Sequence, residues 1–298
     1  MPFHSAPREP GPQAAAFARE RRALAREARL GFPARGGAKA IAARAALARL
    51  LWSAAGERRV PPLPTLDRAL SALPRGELPW LVEFGPLGPL YLFPTRPFLR
   101  ALARQIRALG AHRVLEVAAG DGHLSRALAR EAPDLEVLAS DSGAWERPQA
   151  RMSASERRAL ASGRVAGLPP GEGVHRLEAR AAIRALRPDL VLACWLPPGP
   201  LLARIIRAPV RHVIEIGAGS GVTGDVLCWR FAHEFVEGPL EALARCRLDE
   251  RPARATHTRI TLYPGRAHPD FHEERVGPGH FLWAMRPSAG LRPGGRRP

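Results

Sequence analysis

Two segments of the sequence place small residues and a carboxylate where a nucleotide could bind. Residues 114–122 read VLEVAAGDG and residues 213–221 read VIEIGAGSG, so in each an apolar run with a glutamate leads into small residues. Glycine at alternate positions lets the backbone turn tightly and approach a ligand without a Cβ clash, and a following helix offers free N–H groups. Each segment therefore indicates a nucleotide-binding turn, and we expect only one of them to hold a cofactor.

The glycine spacing does not complete a dinucleotide fingerprint. The second segment contains Gly219-x-Gly221-x-x-Gly224, but the next predicted strand begins only at residue 259. The fingerprint requires an acid at the end of a strand about 20 residues further on. A dehydrogenase is disfavoured, because the complete glycine pattern lies too late in the chain to open a dinucleotide domain.

The first segment is followed by acids in a recognisable order. The strand predicted over 135–139 ends at Asp141, Glu178 follows the next apolar strand, and residues 188–199 read PDLVLACWLPPG. With the acid before the glycines, this order resembles motifs I to IV of the class I S-adenosylmethionine-dependent methyltransferases, over about residues 97–286. The first copy has enough chain after it for the further strands of that fold, which makes the second copy the fifth strand and its turn.

The resemblance implies S-adenosylmethionine as the cofactor and assigns residues to it. Asp141 is expected to bind the ribose hydroxyls, and Glu178 to lie near the adenine amino group. Ala118 stands where the family has its first glycine, so the turn requires negative φ or modest left-handed strain. The implied cofactor-binding residues are Glu116, Ala118, Gly120, Asp121, Gly122, Asp141, Glu178 and Cys194.

No catalytic residue or metal site is assigned. Asp121 and His123 are the nearest candidate bases, with His123 expected to face solvent at the start of a helix. Trp195, Pro197 and Pro198 are the acceptor-side candidates. Their turn is similar to the Asn/Asp-Pro-Pro-aromatic turn of methyltransferases that act on exocyclic amines, but it lacks the polar residue, which disfavours amine methylation of a base. Trp195 either stacks on an acceptor ring or walls the pocket, and Pro-Pro as a rigid strand-ending turn is the alternative.

Hydrophobic periodicity predicts the elements that position these residues. Helix-like and strand-like segments alternate, which favours crossovers onto a parallel sheet. We predict an α/β, methyltransferase-like Rossmann fold with a seven-stranded, mostly parallel sheet whose last two strands form an antiparallel edge pair. The predicted helices include 15–30, 38–55 and 96–109, and the predicted strands are 112–117, 135–139, 175–177, 190–194, 212–216, 259–263 and 281–284.

The same reading divides the chain into three parts. Residues 1–75 are expected to form an Arg-rich helical N-terminal extension or cap, with an ordered connecting segment over 74–97. Residues 76–286 form the methyltransferase-like domain, and 287–298 a disordered basic tail.

Composition narrows the partners. The net charge of the 298 residues is +17, but Lys39 is the only lysine among 45 basic residues, so the arginine content reflects a GC-rich genome as much as nucleic-acid binding. Nucleic acid is therefore a possible but not a favoured partner.

Three cysteines without close pairing favour a reducing, cytoplasmic setting, and no run reaches the ~20 apolar residues of a membrane helix. Oligomeric state is not indicated.

The sequence thus predicts a methyltransferase whose unidentified acceptor is more a small molecule or a protein than a nucleic acid. Two alternatives stay open: a non-catalytic S-adenosylmethionine-binding module, and an RNA methyltransferase that docks through its basic N-terminal helices.

Overall fold

The N-terminal part of the chain folds into three helices with a core of their own. The computed structural model describes residues 37–54, 56–83, 89–144, 170–197, 199–218, 223, 226–249 and 257–274. The helices are α1 (Ala38–Leu51), α2 (Leu63–Ala72) and α3 (Glu77–Glu83). Their apolar positions recur at helical spacing, which gives each helix one stripe to bury. The buried cluster consists of Leu47, Ala48, Leu51, Trp52, Leu66, Ala69, Leu70, Leu78, Leu81, Val82, Leu90 and Phe93.

Two predictions for this part can be compared with the structure. The helix predicted over 38–55 is confirmed but ends at Leu51, because Trp52 adopts an extended backbone and bridges to Arg58. The segment expected to be only a connection over 74–97 contains α3. The helix predicted over 15–30 lies outside the described residues.

A mixed six-stranded sheet occupies the rest of the described chain. Its helices are α4 (Arg96–Ala108), α5 (His123–Glu131), α6 (Ala179–Leu186), α7 (Leu201–Ile206) and α8 (Pro239–Leu243), with a 3₁₀ turn at Val226–Arg230. Its strands are β1 (Arg113–Val117), β2 (Glu136–Ser140), β3 (Leu190–Cys194), β4 (His212–Ala218), β5 (Glu234–Phe235) and β6 (Thr258–Pro264).

The strand order is β2-β1-β3-β4-β6-β5. The pairs β1–β2, β1–β3 and β3–β4 are parallel, whereas β6 pairs antiparallel with both β4 and β5. The prediction of a seven-stranded, mostly parallel sheet is therefore wrong in number and pairing for the described residues. The strand predicted to pair with β6, over 281–284, lies outside the described part; the antiparallel neighbours of β6 in the described part are β4 and β5.

The strand predicted over 175–177 shortens to a single bridge. His175 pairs with Ser140 in parallel, and its N–H donates to the carbonyl of Ala139 at 2.9 Å. Leu177 then donates its N–H back to the carbonyl of His175 at 2.9 Å, and α6 begins two residues later. This local turn leaves no length for a regular strand.

Helices cover both faces of the sheet. One apolar cluster joins α4, α5 and α8 to alternate residues of the strands, and a second joins α6 and α7 to the other residues. Strands buried on both faces read as continuous apolar runs, and every residue of β4 is buried. Within the described ranges, no helix combines the length and apolar character needed to cross a membrane.

Candidate functional site

The turn after β1 uses left-handed backbone at three alternate positions. Ala118, Gly120 and Gly122 have φ of 51°, 54° and 71°. Glycine adopts this conformation freely, whereas for alanine it costs about 1–2 kcal/mol. The substitution at the first glycine position thus leaves the turn intact and places its strain at Ala118.

Asp141 connects the end of β2 to this turn. One carboxylate oxygen, Oδ2, accepts the N–H of Gly120 at 2.9 Å, and Oδ1 accepts the N–H of Gly143 at 2.8 Å. The backbone N–H of Asp141 donates to the carbonyl of His175 at 3.0 Å. The residue is 8% exposed, so its carboxylate is held in one place by two backbone donors beside the glycine turn.

Glu116 lies inside the sheet on β1 and is held by α5. Its Oε2 accepts both the N–H of Ser125 at 3.0 Å and the Oγ hydroxyl of Ser125 at 2.5 Å. Burial raises the pKa of Glu116 to about 7, although the Ser125 hydrogen bonds favour the ionised form. The carboxyl group therefore joins β1 to the first turn of α5 and titrates near neutral pH.

Asp121 in the turn and His123 at the start of α5 are neighbours, and Arg58 from the connection between α1 and α2 contacts Asp121. Oδ1 of Asp121 accepts Nη1 of Arg58 at 3.1 Å and the N–H of His123 at 3.1 Å. The expectation that His123 faces solvent is wrong: the ring is 2% exposed, and burial lowers its pKa to about 3. Since α5 begins at His123 and packs on the sheet, its first side chain is directed into the protein.

The remaining cofactor-side candidates lie at the ends of the neighbouring elements. Glu178 is exposed at the N-cap of α6 and makes no side-chain capping bond. Cys194 is the last residue of β3 and is half-buried; burial raises the pKa of its thiol well above the usual value. All three cysteines of the chain fall in described ranges, and none of them forms a disulfide. The described residues contain no cluster of His, Cys, Asp or Glu suited to a metal ion.

Trp195 forms an aromatic cluster with the segment before α4. Its ring stacks on Tyr91 with centroids 5.9 Å apart, and the guanidinium of Arg247 lies 5.3 Å from the Trp195 centroid. Trp195 is 8% exposed, has φ of 51°, and its Nε1 is buried without a hydrogen-bond partner among the described atoms. Pro197 follows it in the described chain, and Pro198 lies outside the described residues.

The second glycine segment has a packing role at the residues that are described. Glu215 of β4 accepts the Oγ1 hydroxyl of Thr223 at 3.1 Å and lies 3.5 Å from Nη2 of Arg259. A Cβ on Gly217 would lie 2.1 Å from Thr223 Oγ1 and 2.6 Å from Glu215 Oε1. Small size at Gly217 is therefore required by this buried contact. Residues 219–222, which carry the rest of the glycine pattern, are outside the described part.

Sequence reasoning missed two residues of the site. Ser125 carries a signal, because it lies nine positions after Glu116 in the first turn of the next helix, where a hydroxyl can reach a buried acid. Arg58 carries none. It is one of many arginines in the N-terminal part, and only the packing of that part over the sheet brings it to Asp121.

Comparisons with known proteins give low sequence identities and low TM-scores. No family model matches the chain, and no curated protein matches it. Among solved structures, the methyltransferase domain of bacterial CtHen1 covers 57% of this chain and 98% of its own length, at 12% identity and a TM-score of 0.33. The match to TrmK of M. capricolum, solved with S-adenosyl-homocysteine, covers 57% of this chain and 67% of TrmK, at 9% identity and a TM-score of 0.28. The match to the plantazolicin methyltransferase BpumL, also solved with S-adenosyl-homocysteine, covers 57% of this chain and 85% of BpumL, at 10% identity and a TM-score of 0.31.

At these scores the likenesses add no argument about activity. The chain resembles class I methyltransferases in the order of its motifs, and its α/β sheet, with the antiparallel strand β6 between β4 and β5, is compatible with that fold.

Proposed function

We propose that this protein binds S-adenosylmethionine at the β1 turn and transfers its methyl group to a small-molecule or protein acceptor. The observation that carries the proposal is the hydrogen bond from Gly120 to Asp141. It brings a glycine turn and a fixed carboxylate together at the carboxyl ends of adjacent parallel strands, where open α/β sheets bind ligands.

The donor and acceptor groups fit such a cofactor. Each oxygen of Asp141 accepts a backbone N–H, and a carboxylate has about four lone-pair sites, so the same group is suited to accept bonds from ribose hydroxyls. Gly120 has no Cβ to obstruct a ligand lying on the turn. A Cβ on Gly122 would instead lie 2.6 Å from Cγ2 of Val174, so small size at Gly122 is required by packing. Glu178, exposed near the end of β2, is proposed for the adenine amino group.

The bound cofactor supplies an electrophilic methyl group on a sulfonium, and the protein's contribution is to align the acceptor with it. His123 is uncharged near neutral pH and buried, so it does not act as a cationic acid there. The Cys194 thiol stays protonated, which makes a thiolate nucleophile at that position unfavourable. We therefore assign no catalytic base to the described residues.

The acceptor side is proposed to lie beyond the end of β3, along Trp195, Pro197 and Pro198. Trp195 packs against Tyr91 and Arg247, which favours a role as a pocket wall over stacking on an acceptor ring. The absence of a polar residue in this turn argues against methylation of a nucleobase amine.

The test is a titration calorimetry comparison of wild type and Asp141→Asn with S-adenosylhomocysteine. Asparagine keeps an acceptor oxygen but loses the charge, so we expect the Kd to rise at least several-fold. Asp134→Asn is the control, because Asp134 is an exposed acid in the turn between α5 and β2, where it pairs with Arg107. Equal affinities of wild type and Asp141→Asn would exclude the ribose assignment.

Thermal shifts with S-adenosylmethionine, S-adenosylhomocysteine and NAD extend the test to cofactor class. A ligand at 100 times its Kd adds about 2.7 kcal/mol of stability. Stabilisation by NAD alone would contradict the proposal. Binding of both sulfur ligands without methylation of a broad acceptor panel would favour the non-catalytic binding module.

A further inference from the structure

Arg58, in the connection between α1 and α2, contacts the glycine turn. Its Nη1 lies 3.1 Å from Oδ1 of Asp121, and its Nη2 donates to the carbonyl of Leu92 at 3.3 Å. The side chain is 14% exposed. A short backbone pairing fixes it, since Trp52 bridges to Arg58 and Arg59 donates its N–H to the carbonyl of Leu51 at 2.9 Å.

The charge of Arg58 acts on several groups at the strand ends. Burial would raise the pKa of Asp121, yet the charges of Arg58 and Arg126 and the hydrogen bond from the N–H of His123 hold it below its usual value. Burial also sets the pKa values of Glu116 and Cys194, and in both cases Arg58 opposes the rise. The guanidinium is thus positioned to influence β1, the turn and the end of β3 together.

The site as described is rich in carboxylates. Glu116, Asp121 and Asp141 all lie at or beside the turn, and a ligand carboxylate placed among them would be repelled unless a cation balanced it. Arg126, the other arginine in contact with the turn, is exposed and bonds the carbonyls of Asp121 and Glu172. Arg58 is more buried than Arg126, and it contacts the turn through the side-chain carboxylate of Asp121.

Resting on the proposed function, we infer that Arg58 binds the α-carboxylate of the cofactor's methionine part, exchanging the Asp121 carboxylate for that of the ligand. A guanidinium binds either carboxylate through the same charge-assisted hydrogen bonds. When Arg58 binds the ligand, Asp121 keeps the N–H of His123 and the neighbouring charge of Arg126. The N-terminal helices then complete the cofactor site instead of serving only as a cover. The contribution of this part of the chain to ligand affinity then depends on whether the ligand carries an amino-acid tail.

The experiment compares two ligands that differ in that tail. S-adenosylhomocysteine carries the amino-acid group, and 5′-methylthioadenosine has the same nucleoside and a thioether without it. Titration calorimetry with Arg58→Ala is expected to show S-adenosylhomocysteine binding weakened at least tenfold and methylthioadenosine binding changed less than twofold. Arg59→Ala is the matched control, since Arg59 is the adjacent exposed arginine bonded to the carbonyl of Arg49. We expect this control to bind both ligands as wild type does.

Equal losses for the two ligands in Arg58→Ala, or no loss for either, would overturn the inference. If Arg58→Ala does not fold, Asp121→Asn decides the question: it removes the competing charge, so the preference for S-adenosylhomocysteine over methylthioadenosine should increase. An unchanged or smaller preference in Asp121→Asn would overturn the inference as well.

The outcome separates this inference from the proposed function. Wild type that binds neither ligand would overturn both. Wild type that binds both ligands, with an Arg58→Ala variant that loses no selectivity for the tail, would leave the cofactor assignment standing and remove only the role of Arg58.

Discussion

Glu116 is buried, and its carboxyl group changes between the protonated and the ionised form near neutral pH. Burial raises its pKa from 4.5 to about 7, so the native state binds this proton more tightly than the unfolded chain. The associated stability is fully present below about pH 4.5 and is lost as the pH rises through about 7. The rise in the pKa of Glu116 corresponds to a change of at most about 3 kcal/mol in the free energy of unfolding.

We predict that Glu116→Gln becomes progressively more stable relative to wild type as the pH rises from 5 to 8. Glutamine keeps an oxygen for Ser125 and cannot ionise, so the difference in free energy of unfolding should grow by about 2–3 kcal/mol. Urea unfolding of both proteins at several pH values measures it. His123, with its pKa lowered to about 3, shifts stability in the opposite direction but is present in both proteins and cancels. A difference that does not vary with pH would contradict the prediction.

At the scale of secondary structure, continuous apolar runs were predictable and short exposed pieces were not. The strand predicted over 190–194 coincides with β3, and 212–216 and 259–263 fall within β4 and β6. A strand that is buried on both faces needs such a run, because its side chains point into apolar surroundings on either side of the sheet. The two residues of β5 are both exposed and show no alternation, so no pattern announces them. Likewise, α2 and α3 lie in a Pro-rich stretch where turn signals dominate.

The candidate site divides in the same way. The sequence indicates the turn and Asp141 because strand, glycines and acid are close along the chain. It does not indicate Arg58, because the contact with Asp121 spans 63 positions and depends on how separate helices pack. The expectation for His123 failed for a related reason, since the direction of a first helical side chain depends on the docking of the helix.

The packing role of Gly217 leads to a prediction for β4. Gly217→Ala places a Cβ against Thr223 and Glu215 inside a buried contact, so we expect the free energy of unfolding to fall by about 1–3 kcal/mol. S-adenosylhomocysteine affinity should stay within twofold of wild type. Urea unfolding and calorimetry measure the two effects.

Gly37→Ala is the control for this change. Gly37 has φ of −70°, and an added Cβ would have no atom within 4 Å. We expect little change in its stability. A Gly217→Ala protein that is stable but no longer binds the ligand would mean that the second glycine segment, and not the first, holds the cofactor.

At the scale of the whole molecule, the N-terminal helices form a body that is distinct from the Arg-rich residues before it. The helices have their own core and are joined to the sheet domain by ion pairs, such as the bidentate pair of Arg245 with Asp67. Arg58 belongs to this body. The Arg-rich residues 1–36, outside the described part, precede it.

We predict that removing residues 1–36 leaves S-adenosylhomocysteine affinity and Tm unchanged, because the helical core and Arg58 remain. RNA binding by the full chain should fall steeply between 50 and 200 mM salt, as expected for nonspecific phosphate contacts. Fluorescence anisotropy with a structured RNA measures this. RNA affinity that persists at 200 mM salt and is abolished by the deletion would favour the RNA methyltransferase alternative.

The position of β6 between β4 and β5 affects how the chain folds during synthesis. β6 comes last among the described strands, so β4 has no neighbour on that edge until residue 264 has left the ribosome. At about 5–20 residues per second, residues 219–264 take roughly 2–9 s to synthesise. During that interval the nascent chain presents a long apolar strand with unpaired backbone groups, a surface prone to aggregation. The interval between the synthesis of β4 and that of β6 is therefore when this edge of the sheet is most exposed to wrong pairing.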